Sequence, residues 1–138
     1  MAARLHGVLS LVLIKISVLV ALAALFLTAP LAGIVYLITV MGASIIILYA
    51  YCAKCICRLD ACSHVFPGLA TRWLPRRRQE PYTFQDLLAT ALSLAIIFFF
   101  PQYWLWQQKP LFLIFWALTI IALALSSLPV FAGHTCAT

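Results

Sequence analysis

The chain has 138 residues, 66% of them hydrophobic and 9% charged, with 9 Lys and Arg against 3 Asp and Glu. Soluble domains carry about 25% charged residues, so this composition excludes an ordinary globular domain and is that of an all-α integral membrane protein. The net charge of +6 is concentrated in one segment, without the interleaved aromatics of a nucleic-acid surface, and nucleic acid is excluded as a partner.

The first element is the apolar run that opens at Val8 and continues almost without interruption to Tyr51. As a single helix it would be about 66 Å long, against a hydrocarbon core of about 30 Å, so it has to fold back. Pro30 lies at its midpoint and lacks the N–H that an unbroken helix needs. The expectation is one span over roughly 8–28 and a second over roughly 31–51, joined by a very tight turn. The first of these is too long for the apolar region of a signal peptide, so it is expected to stay in the protein. Gly33, Gly42, Ala43 and Ser44 are small residues of the kind that let helices approach closely in lipid. Lys15 is the one ionisable residue well inside a span, and it lies close enough to the end for its ammonium to snorkel to the interface. His6 stands at the boundary and reads as an interfacial residue.

A loop over residues 52–83 follows, and it holds the densest chemistry of the chain. Cys52, Cys55, Cys57, Cys62 and His64 fall within thirteen residues, in the order C-x2-C, C-x4-C and C-x-H. The individual gaps are those of zinc ligands, although the two pairs nearly touch where a zinc ribbon holds them a dozen or more residues apart. The order also departs from both common ferredoxin patterns, which leaves an iron–sulfur cluster as the alternative cofactor rather than the first. His134 and Cys136 are candidates to complete the set from the C-terminal tail. Cysteines at the end of a span are equally sites for S-palmitoylation, or small interfacial hydrophobes. Asp60 sits between these cysteines and is expected to pair with Lys54 or Arg58. Farther along, Trp73 suits the headgroup level, and Arg76, Arg77 and Arg78 are candidates for anionic lipid headgroups as well as an orientation signal.

Thr83-Phe84-Gln85-Asp86 has the form of a capping box and opens the third span, roughly 84–104. Phe98, Phe99, Phe100, Tyr103, Trp104 and Trp106 crowd its far end as an aromatic belt, where Pro101 is placed to kink the last turn. Such a belt would also shape a quinone or lipid pocket. Gln107-Gln108-Lys109 is the polar turn, Pro110 suits the start of a helix, and the fourth span covers roughly 111–131.

The whole is expected to be one domain, 1–138, of four transmembrane helices arranged as two hairpins, with a Cys/His-rich loop between helices 2 and 3. Arg4, Lys54, Arg58, Arg72 and Arg76 to Arg78 fall on one side and Lys109 on the other, which places both termini and the loop in the cytoplasm. Apart from Asp86, accounted for by the helix cap, no span carries a carboxylate, and there is no Ser-His-Asp set, phosphate-binding glycine loop or HExxH motif. The function expected is therefore a small non-catalytic subunit of a larger membrane complex, with membrane lipids and other integral subunits as its partners and a structural zinc site in its loop. The alternatives are an electron-transfer subunit with an iron–sulfur or other redox metal near a quinone site, and a palmitoylated membrane adaptor.

Overall fold

The computed structural model describes the backbone of residues 2–54, 73 and 81–131, and the side chains of 5–54, 73 and 81–126. Among these residues the chain is all-helical. Helix α1 is Ala2–Thr28, α2 is Pro30–Ala50, and a 3₁₀ turn, Cys52–Lys54, extends α2. Helix α3 is Phe84–Phe99, α4 is the short Gln102–Gln107, and α5 is Lys109–Phe131. Four stretches are long and apolar enough to cross a membrane: Leu5–Thr28, Pro30–Lys54, Phe84–Gln107 (α3 and α4 together) and Lys109–Ser126.

The turns lie where the sequence places them. Only Ala29 separates α1 from α2. Its backbone is extended (φ −151°, ψ 83°), and Pro30 supplies the first helical residue after it. The N–H groups flanking the break stay bonded, Ala29 to Leu25 O at 2.7 Å and Gly33 to Ala29 O at 3.1 Å. At the start of α3 the capping box forms as expected. Asp86 N–H donates to Thr83 Oγ1 at 3.3 Å, and Thr83 N–H donates to Asp86 Oδ2 at 2.9 Å.

The chain turns back at Ala29 and at Gln108, where the two expected hairpins turn, but the most extensive packing is not within those hairpins. The most extensive packing joins α1 to α5, the first span to the fourth, and the next most extensive joins α2 to α3. Contact between α1 and α2 is smaller, and α3 and α5 barely meet. The buried positions explain the choice. They recur at intervals of three, four or seven residues: Gly7, Ser10, Ser17, Ala21 and Ala24 on α1, Gly33, Tyr36, Ala43 and Ala50 on α2, and Phe115, Thr119 and Ala122 on α5. Small side chains let the backbones come close, which is how helices associate where lipid offers no hydrophobic contrast. Many of the large apolar residues point outward, among them Leu19, Leu27, Ile38, Met41, Leu92 and Ile120, while Leu25, Tyr36, Leu105 and Phe115 are buried.

The two pairs lie side by side. Phe98 on α3 meets Phe115 on α5 edge-on, with ring centroids 6.2 Å apart. Each residue is several residues away from its own turn, so end-to-end pairs would hold these rings far apart. One buried cluster joins the pairs near the turns: Ala21, Ala24 and Leu25 from α1, Tyr36 from α2, Leu105 from α4 and Phe115 from α5.

Candidate functional site

Of the residues singled out as metal ligands, Cys52 is described. It sits half-buried in the 3₁₀ turn at the end of α2. Cys55, Cys57, Cys62, His64, His134 and Cys136 lie outside the described residues, as do Arg76, Arg77 and Arg78. Among the described residues no three His, Cys, Asp or Glu side chains form a group able to hold a metal. His6 is half-buried near the start of α1, and Lys15 is exposed on the same helix.

The base of the Cys/His loop is well defined. Lys54, the last residue of the 3₁₀ turn, is 3% exposed although it carries a charge. Its ammonium donates to Asp86 Oδ2 and, at 3.0 Å, to the carbonyl oxygen of Pro81. The same carboxylate oxygen accepts from Thr83 Oγ1 at 2.6 Å and closes the helix cap. Beside it the rings of Tyr51 and Tyr82 pack with centroids 5.2 Å apart, and Tyr82 Oη donates to Tyr51 O at 3.4 Å. The two ends of the loop are thereby bolted together. A buried ammonium without a partner would be costly, and here the cap carboxylate and a loop carbonyl meet it. The described partner of Lys54 is thus Asp86. The expected partner Asp60, and Arg58 with it, lie outside the described residues.

A second polar node lies near the opposite end. Pro101 is fully buried and has no N–H, so the carbonyl of residue 97, four positions earlier, loses its helical donor. Tyr36 supplies one from another helix, its Oη donating to Ile97 O at 2.9 Å. Gln102 turns its amide onto Phe98 O and accepts from Trp116 Nε1 at 3.0 Å, which ties the break to α5. The aromatic belt divides here. Phe99, Tyr103 and Trp106 stay exposed, whereas Phe98, Phe100 and Trp104 pack on the core, with Phe100 stacked between Tyr36 and Trp104.

A third node joins α1 to α5. Thr119 Oγ1 donates to Phe115 O at 2.8 Å, and the buried hydroxyl of Ser17 lies 2.9 Å from Thr119 Oγ1 and 3.2 Å from Phe115 O. These two hydroxyls satisfy each other across the helix interface.

Sequence reasoning missed Tyr36 and the Lys54–Asp86 pair. Both left a signal. A proline at 101 announces an orphan carbonyl at 97, which in lipid needs a donor from elsewhere. A lysine ending one span and an aspartate opening the next stand at the same membrane face, within reach when the two helices run antiparallel. Compared with protein-family models, curated proteins and solved structures, the chain matches none.

Proposed function

We propose that this protein is a small, non-catalytic subunit of a larger membrane assembly, its Cys/His loop facing the cytoplasm and holding a structural zinc ion. The observation that supports this most directly is the bolt at the base of the loop. Lys54, Pro81, Thr83 and Asp86 bring residues 54 and 81 together and hold Cys52 beside them. A loop with joined ends brings its thiols into a smaller volume than an open one does, which favours a single ion shared by Cys52, Cys55, Cys57, Cys62 and His64, with His134 and Cys136 as further donors. The polar groups described inside the helices are engaged in structural hydrogen bonds, and the outward faces are large and apolar. Lipid and the spans of partner subunits are what such faces meet. The orientation rests on the Lys and Arg count, seven on the loop and terminal side against Lys109 on the other.

Elemental analysis of the detergent-purified chain, beside Cys55→Ser and Cys62→Ser, tests the site. The expected result is about one zinc per chain, lost in both variants. Iron in its place would transfer the assignment to an electron-transfer subunit. A metal-free chain with hydroxylamine-sensitive mass on Cys52, Cys55 or Cys57 would make it a palmitoylated adaptor.

A further inference from the structure

The chain divides at the loop into two halves. Before it come α1, α2 and the 3₁₀ turn, and after it α3, α4 and α5. The spans of each half are long and apolar enough to stand as helices in lipid on their own backbone bonds. What remains for the fold is how those helices meet, and most of that contact runs between the halves. α1 packs most extensively on α5 and α2 on α3, while α1 and α2 share a smaller contact and α3 and α5 barely meet.

The polar contacts follow the same division. Near the turns, Tyr36 Oη donates to Ile97 O at 2.9 Å and Gln108 Nε2 to Ala24 O at 3.5 Å. Midway along α1, the Ser17 hydroxyl lies 2.9 Å from Thr119 Oγ1 and 3.2 Å from Phe115 O. Beside the loop, Lys54 donates to Asp86 Oδ2 and to Pro81 O, and Tyr82 Oη donates to Tyr51 O. Each of these bonds joins one half to the other, and together they run from the turns to the loop. The stack of Tyr36 on Phe100 and the pairing of Tyr51 with Tyr82 cross in the same way. The buried cluster also needs both halves: Ala21, Ala24, Leu25 and Tyr36 come from the first, Leu105 and Phe115 from the second.

We propose that each half is the binding partner of the other, and that these faces hold the two together without the loop. Small residues let the backbones come close, and the hydroxyls of Ser17, Thr119 and Tyr36 fix which turn meets which. The connection through residues 55–80 raises the concentration of one half beside the other, as any tether does. It does not set their register. The association is independent of the metal proposed for the loop.

A specific-protease site inserted between Gly68 and Leu69 of the full chain, and cut after purification in detergent, tests this. The cut lies beyond His64, so the loop cysteines stay with the first half, and His134 and Cys136 stay with the second. An affinity tag on the first half is expected to retain an equal amount of the second through repeated washing, with or without a metal chelator. Ser17→Leu, which puts a large side chain into the α1–α5 interface, is expected to release the second half about tenfold faster after the cut. Tyr36→Phe removes only a hydroxyl and is expected to speed release about threefold. Leu19→Ala, at an outward position, is expected to leave the rate unchanged. Loss of the second half from the cut wild type in the first wash overturns the proposal. Loss that needs the chelator overturns it too, because the metal site would then be the tie. Equal rates in the wild type, Ser17→Leu and Tyr36→Phe overturn the assignment to these faces. A metal-free chain whose halves stay together supports the proposal and fails the zinc reading alone.

Discussion

Tyr36 and Lys54 are buried polar side chains, and each donates to an acceptor on another segment of the chain. Pro101 withdraws a donor, and the Tyr36 hydroxyl replaces it at 2.9 Å. Tyr36→Phe keeps the ring stacked on Phe100 and removes only that bond. The expected loss is about 1–2 kcal/mol, smaller than a fully orphaned carbonyl would cost because the helix can relax toward the gap. Thermal unfolding in detergent measures it, and an unchanged Tm would mean that the carbonyl is satisfied in another way. For Lys54 the argument concerns charge. Lys54→Met takes the ammonium away from the Asp86 carboxylate, so Tm should fall. The double variant Lys54→Met/Asp86→Leu should recover part of the loss, because removing one partner of a buried pair is worse than removing both. A double variant less stable than Lys54→Met alone would show that the carboxylate serves the helix cap more than the ion pair.

At the scale of elements, the spans pack through small residues, and two glycines of α2 separate packing from propensity. A methyl added at Gly33 would stand 3.1 Å from the ring of Phe26, whereas at Gly42 it would meet nothing within 4 Å. Gly42→Ala should therefore stabilise the protein by up to about 1 kcal/mol, the difference in helix propensity. Gly33→Ala should gain less, or lose, because the ring across the turn has to move aside. Paired melting curves decide, and equal gains at both sites would show that Phe26 yields freely. The break at Pro101 makes the third span two pieces. Leu105 is fully buried on α4 while Tyr103 and Trp106 face outward, so the short helix is pinned to the core on one side and presents aromatics to the interface on the other.

For the whole molecule, the orientation proposed from the distribution of Lys and Arg puts the loop between the second and third spans in the cytoplasm. In an intact-cell labelling experiment, a membrane-impermeant maleimide should leave the loop cysteines unmodified, while a cysteine introduced in place of Gln107 is modified. The reverse pattern would invert the topology, and the reacting loop cysteines would then be free thiols, neither disulfide-bonded nor held on a cytoplasmic zinc ion.

The membrane class, the four spans, the break at Pro30 and the capping box at Thr83 were legible in the sequence. Each depends on local properties: apolar length, a missing N–H, or a side chain three residues from its partner. The Cys/His set was legible as a pattern, and its reading as a zinc site is a proposal, since all of its ligands but Cys52 lie outside the described residues. What only the tertiary structure decided is which helices share faces. Every span is apolar all round, so no polar stripe marks an inner surface, and neighbours in sequence are easily taken for neighbours in space. Close approach of small residues at three-and-four spacing set α1 against α5 and α2 against α3. That pairing in turn placed Tyr36 against Ile97 and Lys54 against Asp86, contacts between residues 61 and 32 positions apart that no local pattern specifies.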